Sequence, residues 1–485
     1  MDGGDAYSYG RRWQQPNANE YSAIQENRFV SAATSPLSTF AADVDTAAYA
    51  AIRRMILRQE KITPDAVRLE EMINAFTYND AVPTGSDPIA ITTQVAPCPW
   101  NPDHLLLRVG LKAKAIEKEN LPSSNLVFLI DTSGSMDMPD KLPLVQRSFS
   151  LLVEQLGPKD KVSIVTYAGN AQTLLEGVRG DEKAKLLAAI AELQAGGGTN
   201  GADGIRTAYE LAERYKAPGL NSRVILATDG DFNIGVNSES ELIRLIEGKR
   251  DNGVFLTVLG YGMGNYKDNK MQALAEHGNG NATYIDTIHQ ARRALVEEMG
   301  ATLLTVAKDV KLQVEFNPAV VEGYRLLGYE SRRLNDEDFA DDTKDGGEMG
   351  SGHGVTALYE LIPAGAGELA SGNLTYQRPA MTDSTDYATV HVRYKEPDGD
   401  TSTEITQAVG KDAYTDEPNA DFNLSAAIAA FGQMLSGSAY AGIADEQMVL
   451  ELLQPLLAGD TGGRIVELST LVRQSGGLYE QNRVK

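Results

Sequence analysis

Apolar and polar residues along this chain change their spacing several times, and each change marks a new element. Residues 126–130, LVFLI, are a continuous apolar run of strand length, as expected of a strand covered on both faces. Residues 223–227, RVILA, and 254–259 read the same way, and 161–167, 171–175 and 282–285 add further strands. Between them apolar residues recur at helical spacing over 142–156, 181–193, 202–215, 239–249, 269–277 and 288–307, with Asp181 placed to cap the second of these. Strand and helix alternate throughout 123–308, which predicts an α/β domain with a doubly wound, mostly parallel, Rossmann-like sheet.

The flanks have a different rhythm. Residues 89–115 hold two alternating runs, ITTQVAP and HLLLRVGLKAK, around a turn at 99–103. Two strands make no stable sheet alone. Residues 310–409 hold six more short runs separated by Gly and Pro turns, the pattern of a β-sandwich. The economical expectation is that the early pair joins the later block, so that the α/β domain is inserted in, or flanked by, one sandwich built from 29–122 and 309–412. Two helices are expected at 46–59, capped by Asp45 or Thr46, and at 63–76, opened by Pro64. Residues 413–485 read as a helical region. Residues 1–28 are polar and rich in Gly, Asn, Gln and Tyr, and are expected to be disordered.

Chemistry collects where the apolar strands stop. The first ends in Asp131, followed at alternate positions by Ser133 and Ser135. A glycine-rich turn, 196–201, carries one hydroxyl, Thr199, just before a helix. The strand 223–227 closes with Thr228-Asp229-Gly230-Asp231. In an open α/β sheet ligands bind at the carboxyl ends of strands, and these hard oxygen donors suit Mg²⁺, Mn²⁺ or Ca²⁺. Any one of the motifs is explained as well by Asp and Ser capping a turn; three in register are not.

The order D-x-S-x-S, Gly-flanked Thr, T-D-G resembles the metal-ion-dependent adhesion site of a von Willebrand factor type A (VWA) domain, and all five family positions are filled. The resemblance implies that Ser133, Ser135 and Thr199 ligate the metal, directly or nearly so. It implies that Asp131 and Asp229 hold metal-bound waters and neutralise charge, and that one coordination position stays open for a partner's Asp or Glu. The phrases STFAADVDTAAY, DAVRLEEMINAF and DFNLSAAIAAFGQML are similar to a bacterial family with an N-terminal VWA-associated segment, a central VWA domain and a C-terminal domain of unknown function.

Composition narrows the partners. Asp and Glu outnumber Lys and Arg by 67 to 44 in 485 residues, a formal charge of -23. That argues against nucleic acid and anionic membrane as partners and suits divalent cations, though a solvated acidic surface explains it as well. Cys98 is the one cysteine, so there is no intrachain disulfide and no thiolate metal site. No apolar run approaches a transmembrane span.

Rival readings fail on single positions. A haloacid-dehalogenase-type phosphotransferase needs a second carboxylate where Ser133 stands. A nucleophile elbow needs G-x-S-x-G, and a phosphate loop needs a lysine that GGGTNG lacks. Residues 341–352 begin like a calcium loop but end on Gly352 instead of a bidentate Glu. They read as a flexible acidic loop, and as the internal candidate for the sixth ligand. Arg179-Gly180-Asp181 spells a recognition tripeptide but reads as a helix start, Asp43 and Asp45 as capping residues, and His277 and His353 as structural or surface residues. The expectation is a non-enzymatic, divalent-metal-dependent binding or adhesion module with a protein or glycan partner, in the cell envelope or periplasm, with or without a lipid anchor. The alternative is a subunit of a chelatase-like or chaperone-like assembly served by a separate AAA-type ATPase, in the cytoplasm.

Overall fold

The computed structural model describes residues 21, 23–42, 46–117, 122–230, 239–262, 268–297, 304–344, 346–369, 383–397, 399–479 and 482. Two short strands, β1 (Val30–Ser31) and β2 (Leu37–Ala41), lead to helices α1 (Ala47–Leu57) and α2 (Leu69–Asn74) and then to strands β3 (Ile89–Pro97) and β4 (Leu105–Ala113). The α/β domain follows as β5 (Ser124–Asp131), α3 (Leu142–Gln155), β6 (Lys161–Tyr167), β7 (Ala171–Arg179), α4 (Lys183–Ala191), α5 (Gly201–Arg214) and β8 (Asn221–Thr228). It ends with α6 (Glu239–Asp251), β9 (Val254–Tyr261), α7 (Asp268–His277), β10 (Ala282–Ile285) and α8 (Ile288–Arg292). Then come β11 (Thr305–Phe316), β12 (Val321–Leu327), β13 (Gly347–Gly350), β14 (Gly354–Pro363), β15 (Ala388–Lys395) and β16 (Ser402–Val409). Three helices close the chain: α9 (Ala420–Ser436), α10 (Glu446–Leu453) and α11 (Arg464–Gln474).

The central sheet has the order β10-β9-β8-β5-β6-β7 and is parallel except for β7 at its edge. The continuous apolar run of β5 has the cause inferred from sequence. Leu126, Phe128 and Ile130 pack against Val145, Phe149 and Leu152 of α3, whereas Val127 and Leu129 pack against Ile205, Ala208 and Tyr209 of α5. Period-two alternation thus supplies apolar groups to two helical layers at once.

The early strand pair finds its partner across the inserted domain. β4 lies between β3 and β14, with Leu107 opposite Tyr359 and Leu111 opposite Val355. β1 adds to β12, giving the sheet β1-β12-β14-β4-β3. The facing sheet runs β13-β11-β15-β16, with β2 also paired to β11. One apolar core fills the space between them; Leu107 and Leu111, with no exposed surface, each add about 1.5–3 kcal/mol by burial.

Several details depart from the sequence reading. Helix 63–76 is broken into a 3₁₀ turn at Pro64–Ala66 and α2. Thr46 gives α1 no side-chain cap; Glu71 of α2 instead accepts the Ala48 N–H at 2.8 Å, and Asp43 and Asp45 lie outside the described residues. Asp181 does not cap α4, whose N-cap is Glu182; Asp181 is paired with Arg179 at 2.6 Å. Of the long helix expected over 288–307, the described part is α8 plus a π-turn at Arg293–Glu297, residues 298–303 lie outside the described residues, and Thr305–Ala307 already belong to β11, where β-branched Thr305 and Val306 favour strand. Residues 23–28, assigned to a disordered leader, are docked: the Asn27 side chain donates to Leu326 O and Gly328 O at 3.1 and 2.8 Å. The rest of that leader, apart from Tyr21, and the whole of the short run 372–378 lie outside the described residues. The 341–352 loop is tied to the sandwich, with Asp342 held by Arg393 and Ser402 and the Asp341 carbonyl by Lys311.

α1 and α2 share a core with α9–α11 and with Trp100, Leu106 and Leu358 of the sandwich. Inside this joint sits Glu70, almost fully buried, with Oε2 lacking a hydrogen-bond partner among the described residues. Burial, and then the charges of Glu330 and Glu71, push its carboxyl up to about 8. A raised carboxyl favours folding while protonated, so its contribution is complete below the ordinary value of 4.5 and is lost as pH rises through about 8. Glu70→Gln should therefore melt with the wild type near pH 4.5 and progressively above it toward pH 8. Superimposed melting curves at every pH would refute this.

Candidate metal centre

Two loops leave the central sheet at the carboxyl ends of β5 and β8, and a third, between α4 and α5, is bonded to the first of them. At the end of β5 the chain turns at once: the Ser133 N–H donates to Asp131 Oδ1 at 2.8 Å, and a 3₁₀ turn over Gly134–Met136 follows. A strand can end in so buried a carboxylate because its neighbours supply donors. Tyr167, opposite Asp131 in the β5–β6 register, donates its hydroxyl to Asp131 Oδ2 at 3.1 Å, and Thr228 at the end of β8 does so at 3.4 Å.

The glycine-rich loop is stitched to this turn. Gly196 N–H donates to Thr132 O at 2.8 Å, and Gly134 N–H donates to Gly197 O at 3.1 Å. Gly197 has φ +82°, a conformation costly for residues with a Cβ. Thr199 follows, half-buried, just before α5 begins. The loop after β8 starts at Asp229, whose Oδ2 accepts from Lys141 Nζ at 2.8 Å; the same ammonium donates to Ser135 O at 2.9 Å.

Asp131, Ser133, Ser135, Thr199 and Asp229 are thus gathered at one edge of the sheet. Asp131, Ser133 and Asp229 form a buried floor, Ser135 is exposed and Thr199 half-exposed at the mouth. Ser133 Oγ and Ser135 Oγ lie 3.0 Å apart. Burial pushes the Asp131 carboxyl up to about 6, with the Asp229 charge adding to it and the hydrogen bonds from Ser133 opposing. Two buried carboxylates next to closely spaced hydroxyls make a hard, oxygen-only donor set. It fits Mg²⁺, Mn²⁺ or Ca²⁺ and nothing softer. Among the described residues no three His, Cys, Asp or Glu side chains converge as an alternative metal cluster.

Sequence reasoning missed three residues here. Tyr167 and Thr228 were legible in principle, because they end the strands on either side of β5. Lys141 was not, since nothing in its surroundings in the sequence directs its ammonium back to Asp229. Of the residues set aside on sequence grounds, His277 pairs with Glu247 at 3.0 Å on the surface, and Cys98 is a buried free thiol that burial pushes far up.

Comparison with known proteins agrees with the domain organisation. Residues 125–297 match the von Willebrand factor type A domain, 15–108 a segment described as von Willebrand factor, and 301–478 the C-terminal region of "Uncharacterized protein YfbK". The YfbK protein of Escherichia coli (strain K12) is 39% identical over 476 residues, covering 96% of this chain and 82% of its own length. The magnesium-chelatase 60 kDa subunit of Cereibacter sphaeroides is 28% identical over 193 residues, 36% of this chain and 34% of its own. A solved von Willebrand factor type A structure from Catenulispora acidiphila aligns over 80% of this chain and 91% of its own at 16% identity, with a TM-score of 0.41. The type A domain marks a protein-interaction or adhesion module. The chain belongs to the YfbK family, with a central von Willebrand factor type A domain between an N-terminal von Willebrand-like segment and the family's C-terminal region.

Proposed function

We propose that this protein is a divalent-cation-dependent binding module that captures a carboxylate of a protein or glycan partner. The observation that carries this reading is the pair of serine hydroxyls 3.0 Å apart beside two buried carboxylates at the open edge of the sheet. Ser133, Ser135 and Thr199 would hold Mg²⁺, or Mn²⁺ or Ca²⁺, while Asp131 and Asp229 would hold its waters and balance its charge. The bound ion supplies an electrophilic position for an anionic oxygen. The chain's own part is to fix the hydroxyls, which carry no charge and so leave the ion's charge available to a partner. The cell envelope or periplasm is the proposed location, testable by fractionation; among the described residues no helix is long and apolar enough to cross a membrane.

The test is recovery of partners from envelope extracts with the full-length protein in Mg²⁺, in EDTA, and in EDTA followed by Mn²⁺. Binding should vanish with EDTA and return with either ion, and Thr199→Ala should weaken it about tenfold or more, as loss of a metal-binding group does, without moving the melting temperature. Capture that survives EDTA unchanged would end the metal-dependent reading. The magnesium-chelatase likeness favours a second reading, a subunit working with a separate ATPase; an ATPase co-purifying in stoichiometric amount would select it.

A further inference from the structure

Lys141 occupies a position that the five oxygen donors do not explain. Its side chain is buried and runs from the N-cap of α3 to the floor of the site, where Nζ lies 2.8 Å from Asp229 Oδ2 and 2.9 Å from Ser135 O. Its path is built in. The stem crosses Gly262 at the end of β9, where a Cβ would overlap the lysine side chain and φ is +73°. The Gly262 carbonyl is held by the Tyr284 hydroxyl, and that hydroxyl accepts from Arg54 of α1 at 2.9 Å. The lysine stem is thus laid in a groove formed by the domain and buttressed from outside it. Such a residue is placed; it is not a solvated lysine that happens to find a carboxylate.

The charges decide what it does. Asp131 and Asp229 bring two negative charges to the site and Lys141 returns one positive charge. A divalent cation then leaves the ensemble at +1, and one carboxylate brings it to zero. Without the lysine the same cation would already neutralise the site, and a carboxylate would make it negative. We propose that Lys141 is a tethered counter-cation that weakens binding of the metal alone and strengthens binding of a carboxylate to the loaded site, so that metal and anionic ligand are taken up together. This rests on the metal-dependent reading above. It adds a specificity device: an ion held weakly until a carboxylate arrives, and a loaded site that favours anions over neutral ligands.

Calorimetric and paramagnetic titration of the full-length protein with Mn²⁺ alone, and with Mn²⁺ in the presence of acetate, tests it. A charge in direct contact moves such equilibria by about one to three powers of ten. Lys141→Met and Lys141→Gln should therefore bind Mn²⁺ alone at least about tenfold more tightly, while acetate should tighten Mn²⁺ binding in the wild type and not in the variants. Lys141→Arg, which keeps the charge, should behave as the wild type. The glutamine variant retains hydrogen-bonding capacity, so it carries the test if the methionine variant unfolds. Opposite movements of metal and acetate affinity are not produced by a merely structural lysine. Unchanged Mn²⁺ affinity in a folded neutral variant overturns the role of Lys141 and leaves the metal site standing. A wild type that takes up no Mn²⁺, with or without acetate, overturns both.

Discussion

Glu360→Ala should cost about 3–5 kcal/mol of unfolding free energy, the range expected when one partner of a buried ion pair is removed. Glu360 lies on β14 with almost no exposed surface, between the sandwich and α9. Its Oε2 accepts from Arg325 at 2.8 Å and from Trp100 Nε1 at 3.1 Å, and its Oε1 meets His104 Nδ1 at 2.7 Å. Arg325 is equally buried and also reaches Gln433 of α9 at 2.7 Å. The alanine variant would strand a buried guanidinium and orphan an indole N–H, and a half-exposed Glu26 at 3.2 Å is a poor substitute. Burial alone would raise Glu360, but the His104 hydrogen bond and the Arg325 charge outweigh it and hold the carboxyl below its ordinary value. Burial alone would lower His104, and Glu360 with Glu368 outweighs it and raises the imidazole. The carboxyl term is therefore present above 4.5 and fades as pH falls through the lowered value, whereas the imidazole term is complete below 6.5 and fades as pH rises through the raised one. The difference between wild type and variant should be largest between those limits. The exposed pair Arg179–Asp181, at 2.6 Å, is the control; Asp181→Ala should leave the denaturation midpoint in place. A Glu360→Ala loss below about 1 kcal/mol would mean that the cluster is no more than a surface pair.

That cluster also marks how far sequence reasoning reaches. The run 126–130 declared itself because burial on both faces forces an unbroken apolar segment, and the ends of such strands are where donors collect. Asp131, Ser133, Ser135 and Asp229 were legible for that reason, and Thr199 from the glycine-rich turn just before α5. The pairing of β4 with β14 was legible indirectly, since two alternating strands need an edge to join. Glu360 and Arg325 were not. Each sits in an alternating strand where a charged residue ordinarily points to solvent, and they are buried by groups distant in sequence laid across that face: Trp100 and His104 on Glu360, Gln433 of α9 and Tyr440 on Arg325. The same holds for α1 and α2, which read as amphipathic helices but give no local indication that they close on helices at the far end of the chain. Asp181 shows the opposite error: a good capping residue one position too early, because a side-chain pair with Arg179 competes for it.

Asp131→Asn should abolish divalent-cation binding while leaving the fold intact, and the two effects can be read from one set of melting curves. Asp131 contributes one of the two carboxylates at the floor, and its oxygens accept from Ser133 N–H and from Tyr167. Asparagine keeps an acceptor of the same shape, so the turn after β5 survives. What disappears is the charge. In the wild type, Mg²⁺ at a hundred times its dissociation constant should stabilise the native protein by about 2.7 kcal/mol, because the folded state alone assembles donors from three separate loops. That gain should be absent in Asp131→Asn at any Mg²⁺ concentration. In EDTA the order should reverse. The wild type then carries a carboxyl that burial and Asp229 disfavour in its charged form, whereas asparagine has no charge to bury. The variant should match or exceed it. If the variant melts far below the wild type in EDTA, Asp131 holds the β5 terminus together and its part in metal binding is not separable from the fold. If both proteins gain equally from Mg²⁺, the cation binds elsewhere and the five-residue site is wrong.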